Sequence, residues 1–392
     1  MQDVAFPKGF SAAGTACGIK KNGKPDAGLL ASEPPARAFG AFTRNAAFAA
    51  PVGWCREVLA TGEKVSHVLV NSGNANAATG ERGARDVRAS VALLREALGG
   101  TAAVLVSSTG VIGEPLPMDA LARGIGTLAR GAGEARFHEA IMTTDTFPKT
   151  AQASLTLGGR EVRLGGASKG AGMICPNMAT MLAYLTTDIE LPEGYRIPFL
   201  DAVERTFNSI SVDGDMSTND TVILLANGAS GVRYADLGAP EQAVFDAALR
   251  EMMGVLARAI VRDGEGATKL ITVEVTGAAT EADAKAIGRA VSNSPLVKTA
   301  FFGGDANWGR VMAAAGYSGA ALVMDKLALE FCGVRVFENG LPLPVNEDDM
   351  AQRMKARDVA VRLDLGLGAA AWTYWTCDFS YDYVKINGSY RS

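Results

Sequence analysis

The segment Lys169–Leu182 constrains this chain most, because it places a hydroxyl residue between a glycine-rich turn and a buried strand. A proline and an asparagine lead to Thr180, and the apolar run that continues to Leu185 predicts a strand. The small residue Ala179 precedes the threonine. A hydroxyl at the start of a strand can attack the carbonyl of the residue before it. The pattern therefore predicts a chain that cleaves itself between Ala179 and Thr180.

Cleavage would leave a free α-amine beside the Thr180 hydroxyl. The reference pKa of such an amine is about 7.7–8.0, which suits a general base at neutral pH. The chain has only two histidines, His67 and His138, and neither belongs to a motif for a Ser-His-Asp arrangement. Taken alone, Thr180 is better explained as an ordinary buried strand residue. Nearby Cys175 is interpreted as a small buried apolar residue and not as the nucleophile.

Composition excludes several classes of protein. With 392 residues, 48% of them hydrophobic and 20% charged, the chain is globular and long enough for two lobes. A net charge of −4 argues against nucleic acid as the main partner. Five scattered cysteines without a CxxC pair indicate neither a zinc site nor a disulfide framework. No signal peptide and no apolar run of about 18 residues is present, so we expect no membrane partner and a cytoplasmic address.

Hydrophobic periodicity predicts a mixed α/β fold. Residues 65–71 and 102–107 are predicted strands, and apolar residues at helical spacing between them predict a helix that Gly99 and Gly100 end. The polar residues at the ends of these two strands are expected to line a site. Further predicted elements are a helix over residues 241–260 and strands over 270–276, 359–365 and 372–377. The proline-containing stretch 192–198 predicts a loop and a domain boundary.

Long segments, in order along essentially the whole chain, resemble the glutamate N-acetyltransferase / ornithine acetyltransferase family of arginine biosynthesis. These segments are residues 8–10, 71–76, 107–113, 143–146, 169–182, 211–220, 307–310 and 383–392. Two positions depart from the family pattern, since Ala306 replaces a usual proline and Gly388-Ser389 replaces a more typical pair.

The resemblance implies a layered sheet sandwich flanked by helices, of the α/β (α+β) class, similar to that of the self-processing aminopeptidases. It implies fragments 1–179 and 180–392 that form one catalytic body, in an assembly of two copies of each. No metal or organic cofactor is expected.

The resemblance also implies acetyl transfer from N-acetylornithine to glutamate through an acetyl-Thr180 intermediate, with release of ornithine and two-step kinetics. Whether acetyl-CoA is a second donor stays open. One alternative is a self-processing aminopeptidase or amidase with water as acceptor. Another is a metabolite-binding protein whose chain stays whole.

Thr109 and Gly110 follow a predicted strand and offer a hydroxyl and a closely approaching N–H. Taken alone, they are better explained as an ordinary turn, but the resemblance implies that they form the oxyanion hole. Lys169 would hold a substrate α-carboxylate, or else is a solvated loop lysine. Glu265, between two glycines, would bind an ammonium group of ornithine, or else simply begins a turn.

Three more substrate ligands follow from similarity to the family. Thr144 is selected from the cluster Thr143–Thr146, in which any of three hydroxyls would serve. Asn387 and Ser392 come from a polar C-terminal segment, which would normally be frayed. The resemblance implies that this segment folds over the site.

Overall fold

The computed structural model describes residues 4–175 and 181–389. Its strands are β1 Phe10–Thr15, β2 Ala27–Phe42, β3 Val65–Asn74, β4 Ala103–Val111, β5 Lys149–Leu157, β6 Arg160–Lys169, β7 Leu182–Thr187, β8 Ile210–Ser211, β9 Thr221–Ala226, β10 Leu270–Ala278, β11 Ala328–Phe331, β12 Val334–Glu338, β13 Leu341–Pro342, β14 Asp358–Asp364 and β15 Ala370–Cys377. Its helices are α1 Ala50–Ala60, α2 Gly80–Leu98, α3 Met118–Ala129, α4 Phe137–Ile141, α5 Arg196–Arg205, α6 Ala239–Arg262, α7 Glu281–Asn293, α8 Pro295–Phe302, α9 Trp308–Gly316, α10 Glu347–Met354 and α11 Tyr381–Gly388.

The chain divides into two compact units, each of which is built from three separate segments of the sequence. The first unit comprises Met1–Gly170, Asn177–Phe207 and Met216–Ala257, and the second comprises Ala171–Pro176, Asn208–Asp215 and Arg258–Ser392. Neither unit is continuous, so no single linker separates them.

The first unit contains an eight-stranded sheet in the order β4-β3-β2-β9-β7-β6-β5, with β1 paired to β2. The long strand β2 pairs with β3 up to Ala36 and with β9 from Arg37 onward. Its register shifts between Ala31 and Ala36, across two prolines that cannot donate to a ladder. The central strands β7 and β9 run parallel and are buried throughout. The sheet thus has two halves that share β2.

The two halves of this sheet pack on each other. Val68 and Leu105 from the β3–β4 half share one core with Tyr184 and Ile223 from the β7–β9 half. On the outer face of β3 and β4, apolar residues of α2 and α3 form a further core. Gly166 of the other half lies against side chains of α6. Helix, sheet, sheet and helix are therefore stacked in layers, and the predicted sandwich is confirmed.

The second unit contains a seven-stranded sheet in the order β13-β12-β11-β14-β10-β15-β8. The neighbours β10 and β14 are parallel, and β10 and β15 are antiparallel. Alternate residues of β10, which include Ile271 and Val273, pack against Ile287 and Val291 of α7. This unit therefore has its own core of one sheet and its covering helices.

Most of the elements predicted from periodicity are confirmed. The helix between β3 and β4 ends at Gly99, which adopts the left-handed conformation with φ +67° and caps α2. The prediction for residues 192–198 is wrong, because α5 begins at Arg196 and no boundary between the units falls there. Pro198 lies in the first turn of α5, where a backbone N–H has no partner within the helix. Among the described residues, no helix combines the length and the apolar character needed to cross a membrane.

Candidate active site

A pair of glycines joins β3 and β4 at the predicted oxyanion hole. Gly110 lies opposite Gly73 in the parallel ladder and adopts φ +134°. A Cβ at Gly110 would lie 2.3 Å from the carbonyl carbon of Gly73, so only glycine fits there. Thr109 is buried beside it. Both residues belong to β4, which continues to Val111, because the close glycine pair lets the ladder extend past the predicted strand end at residue 107.

Lys169 contacts Thr109, the residue that precedes Gly110 of this glycine pair. It is the last residue of β6, lies opposite Leu182 of β7 and is 2% exposed. Its Nζ donates to Thr109 Oγ1 at 3.2 Å. The interpretation as a solvated loop lysine is therefore wrong. Since Thr109 Oγ1 accepts this bond, the proton of the same hydroxyl is available to a developing oxyanion.

Asp145 is a charged residue that sequence reasoning missed. It is 8% exposed and accepts from Lys149 Nζ at 2.6 Å, from the Gly170 N–H at 2.7 Å and from the Thr143 N–H at 2.9 Å. Burial raises its pKa, but the charges of Lys169 and Lys149 and the Gly170 N–H outweigh burial and lower the pKa to about 2. An ionised carboxylate therefore fixes the segment around Lys169.

Thr144 lies in a bend of the same segment, between Thr143 and Asp145, and is half-buried. Thr143 is half-buried as well, whereas Thr146 is exposed. The bend is tied down by the bond from the Thr143 N–H to the Asp145 carboxylate. Asp145 lies within the motif Thr143–Thr146, in which only the threonine hydroxyls are predicted as substrate ligands.

Two consecutive residues just before β9, Asn219 and Asp220, connect β4 to the residue that precedes β7. The Asn219 side-chain amide donates to the Ser108 carbonyl at 2.8 Å and to the Ala75 carbonyl at 2.6 Å. Asp220 Oδ1 accepts the Met181 N–H at 3.0 Å. Ser108 precedes Thr109 and Met181 follows Thr180, so this pair links the chain neighbours of two predicted catalytic residues. Ala179 and Thr180 themselves lie outside the described residues.

Asp220 is fully buried, and burial raises its pKa well above the ordinary range. Its Oδ2 has no hydrogen-bond partner among residues 4–175 and 181–389. Burial therefore disfavours the ionised form of this carboxyl. This residue was also missed, although it ends the motif 211–220 that the sequence singled out.

In the second unit, Glu265 and Asn387 are brought together. Glu265 is 8% exposed, and its Oε2 accepts from Asn387 Nδ2 at 2.9 Å. Its N–H donates to the Ala171 carbonyl at 2.7 Å, and a Cβ at Gly172 would lie 2.4 Å from its Oε2. Glu265 therefore does more than begin a turn, because its carboxylate is packed and oriented. Ser392 lies outside the described residues.

The C-terminal segment is attached to the turn that carries Glu265. The Asp378 carboxylate accepts the N–H groups of Thr268 and Lys269, both at 2.8 Å. The Ser380 hydroxyl donates to the Gly266 carbonyl, and a Cβ at Gly266 would lie 2.4 Å from the Tyr383 nitrogen. Up to residue 389 the tail is therefore held and not frayed.

Asp213 holds the segment before Pro176. Its carboxylate accepts the N–H groups of Met173 at 2.6 Å and Ile174 at 2.8 Å, and burial raises its pKa to about 6. Burial also raises the pKa of the neighbouring Cys175 thiol, which disfavours the nucleophilic thiolate. Within the described part of the chain, no group of three or more His, Cys, Asp or Glu side chains is placed to bind a metal ion.

Comparison with known proteins agrees with this arrangement. The family model of the ArgJ family matches residues 11–392. The chain is 46% identical over 394 residues to the arginine biosynthesis bifunctional protein ArgJ of Nitratidesulfovibrio vulgaris, covering 99% of this chain and 100% of that protein. It is 48% identical over 396 residues to the ArgJ protein of Symbiobacterium thermophilum, covering 99% of this chain and 98% of that protein. A crystal structure of the ArgJ protein of Bacillus halodurans matches 53% of this chain and 98% of its own, with 38% identity and a TM-score of 0.51. The family resemblance is confirmed, and the chain belongs to the ArgJ family.

Proposed function

We propose that this chain transfers an acetyl group from N-acetylornithine to glutamate, in arginine biosynthesis, through an acetyl ester on Thr180. The observation that carries the proposal is the Asn219–Asp220 pair, which ties the Ser108 carbonyl and the Met181 N–H to adjacent side chains. The names of the relatives place them in arginine biosynthesis and call them bifunctional.

The first reaction is self-cleavage. The Thr180 hydroxyl attacks the Ala179 carbonyl, the peptide C–N bond breaks, and the acyl group moves from nitrogen to oxygen. Water then hydrolyses this ester, which releases the Ala179 carboxylate, the Thr180 hydroxyl and a free α-amine.

Acetyl transfer follows in two halves. The α-amine of Thr180 accepts the hydroxyl proton while the oxygen attacks the acetyl carbonyl of N-acetylornithine. The Thr109 hydroxyl and the Gly110 N–H stabilise the oxyanion, and Lys169 polarises the former. The amine then protonates the departing nitrogen of ornithine. Glutamate reverses these steps with its own amine and leaves acetylated.

The remaining polar residues bind the amino acid substrates. Lys169 would hold the α-carboxylate that both substrates share. Glu265, oriented by the Asn387 amide, would take the ammonium group of ornithine. Thr144 and Ser392 would add hydrogen bonds.

The reaction needs neither a metal nor an organic cofactor, because both catalytic protons move between the substrate and Thr180. We infer an assembly of two copies of each fragment from the family resemblance. The cytoplasmic address stays a prediction. Acetyl-CoA as a second donor is tested by incubating the purified protein with acetyl-CoA and glutamate alone.

Intact-mass spectrometry tests the first reaction. The native protein should give two fragments that correspond to residues 1–179 and 180–392, and Thr180→Ala should give one intact chain without transferase activity. Cys175→Ala is the matched control, since it removes the only other nucleophilic side chain of this segment and should leave both fragments and turnover unchanged. A fully active preparation that contains only intact chain would sink the proposal.

Consumption of N-acetylornithine with and without glutamate separates transfer from hydrolysis. A strong dependence on glutamate is expected for a transferase. Equal rates would instead identify a self-processing amidase, and no consumption by a cleaved, folded chain would favour a binding protein. Truncation after Ile386 should abolish turnover and leave cleavage intact.

A further inference from the structure

Lys20 lies in the loop between β1 and β2, and its stem packs against Gly73 of the candidate oxyanion hole. A Cβ at Gly73 would lie 3.0 Å from Lys20 Cγ and 3.2 Å from Ile19 Cγ2. Gly73 is the residue opposite Gly110 in the ladder and has φ +98°. The absence of a side chain at residue 73 therefore leaves the room that the lysine stem occupies.

The loop is held in place by a buried carboxylate. Asp26 is fully buried and accepts four consecutive backbone N–H groups, those of Cys17 at 2.7 Å, Gly18 at 3.1 Å, Ile19 at 2.7 Å and Lys20 at 2.9 Å. Four N–H donors occupy both oxygens of Asp26. The Asp26 carboxylate therefore fixes the backbone of the loop, and none of these four hydrogen bonds involves the Lys20 side chain.

The Lys20 ammonium lacks an anionic partner. Its Nζ donates to the Pro25 carbonyl at 2.6 Å, which uses one of its three N–H donors. Within residues 4–175 and 181–389, no carboxylate lies at ion-pair distance from it. Burial lowers its pKa, Asp26 partly offsets burial, and the charge of Lys169 lowers the pKa further, to about 8. A bound anion would stabilise this ammonium.

We propose that Lys20 binds the side-chain carboxylate of the acceptor glutamate and so selects an acidic amino acid as acceptor. The inference rests on the proposed function. Glutamate carries two carboxylates separated by three carbon atoms, the stem of Lys20 lies against Gly73, and the Lys169 ammonium contacts Thr109. With Lys169 on the α-carboxylate, Lys20 remains for the other.

This assignment gives the two amino acids, which differ in side-chain charge, different binding partners. Ornithine carries an ammonium where glutamate carries a carboxylate, so the two side chains need partners of opposite charge. Glu265 offers the opposite charge. Lys20 is therefore a specificity-determining residue of the second half-reaction and has no part in the first.

The two half-reactions are measured separately on the processed enzyme, with the variant Lys20→Met. Release of ornithine from N-acetylornithine in a single turnover reports the first, and transfer from the acetyl-enzyme to varied glutamate reports the second. We expect the KM for glutamate to rise about 10–100-fold with an unchanged ornithine burst. The ratio of kcat/KM for glutamate to kcat/KM for glutamine should fall by the same factor. Lys20→Arg should restore part of this ratio.

Lys21→Met is the matched control, because Lys21 is the exposed neighbour of Lys20 in the same loop. It should leave both half-reactions as in the native enzyme. An unchanged KM for glutamate in a processed, folded Lys20→Met enzyme would overturn the proposal and leave the proposed function standing. Failure of the native enzyme to release ornithine would instead count against the proposed function.

A measurement on the native enzyme covers the case in which Lys20→Met does not fold. Amine acetylation by acetic anhydride, followed by peptide mass spectrometry, should label Lys20, and saturating glutamate should protect it. Ornithine and glutamine should not protect it, and Lys21 should be labelled equally under all conditions. Labelling of Lys20 that glutamate leaves unchanged would also refute the assignment.

Discussion

The two units carry predicted site residues in different ways. In the first unit, Lys169 lies in β6, which pairs with β7, and Thr109 lies in β4, which pairs with β3. The nearby charged residues Asp145 and Lys149 are buried. In the second unit, Glu265 lies on a glycine-flanked turn and is oriented by Asn387 from α11, a helix with no buried residue. The residues proposed to form the oxyanion hole are thus built into a sheet, whereas Glu265, proposed to bind the ornithine ammonium, lies on a turn that an exposed helix contacts.

Removal of the Asp145 carboxylate should have the largest effect. Asp145→Ala removes one member of the buried Asp145–Lys149 ion pair, and breaking a buried pair typically costs about 3–5 kcal/mol. In the Thr180→Ala background, where the chain stays whole, we expect the thermal midpoint to fall by roughly 6–20 °C. Asp201→Ala is the control, because its i,i+4 pair with Arg205 is exposed and should contribute at most about 1 kcal/mol. A similar fall in thermal midpoint for both variants would mean that the buried Asp145–Lys149 pair stabilises the first unit no more than the exposed Asp201–Arg205 pair does.

Gly110→Ala should reduce kcat about 10²–10³-fold, the loss typical of one oxyanion donor. The added methyl group collides with the Gly73 backbone and displaces the N–H that stabilises the oxyanion. Gly100→Ala is the control, since a Cβ there meets nothing within 4 Å. Full turnover by Gly110→Ala would remove the argument that the strand pair forms the oxyanion hole.

Acid should remove the contribution of Asp145 in a defined range of pH. A carboxylate whose pKa is lowered to about 2 stabilises the fold above its unfolded pKa of about 3.9. That stability, of order 2–3 kcal/mol, is lost as the pH falls through about 2. The difference in thermal midpoint between native protein and Asp145→Ala should thus be constant from pH 7 to 5 and shrink below pH 4. A difference that shrinks already at pH 6 would contradict the low pKa.

Glu265→Gln should raise the KM for N-acetylornithine about tenfold, the loss of one charge-assisted hydrogen bond, and change kcat little. The neutral amide keeps the shape of the side chain but no longer attracts an ammonium group. Steady-state kinetics at saturating glutamate measures this. A fall in kcat equal to the rise in KM would place Glu265 in the chemistry and so abolish the division of labour between the units.

Asn387→Ala should have the smallest effect, because it removes one hydrogen bond to Glu265, worth about 0.5–1.5 kcal/mol. The expected rise in KM is a few-fold. The double variant with Glu265→Gln should show less than the sum of the two effects, since Asn387 acts through that carboxylate. Additive effects would mean that Asn387 contacts the substrate by an independent route.

Sequence reasoning found residues whose role depends on their local neighbours. The strand and glycine pattern draws attention to Thr109 and Gly110, and two flanking glycines to Glu265, whereas the oxyanion role comes from the family resemblance. Lys169 was placed in a loop, because nothing local shows that its strand continues against β7. Asn219 and Asp220 were missed as functional groups, since their partners Ser108 and Met181 lie 111 and 39 residues away. Pairing over such separations is decided by the packed sheet, which a single sequence does not display.

The strand order has a consequence for what self-cleavage leaves behind. Strands β7 and β9 belong to the portion after Thr180, yet they sit between β2 and β6, which both belong to the portion before it. Strands of the second product would therefore lie between strands of the first, with backbone hydrogen bonds between β2 and β9 and between β6 and β7. A purification tag on either product should therefore retrieve both in high salt, and only a denaturant should part them.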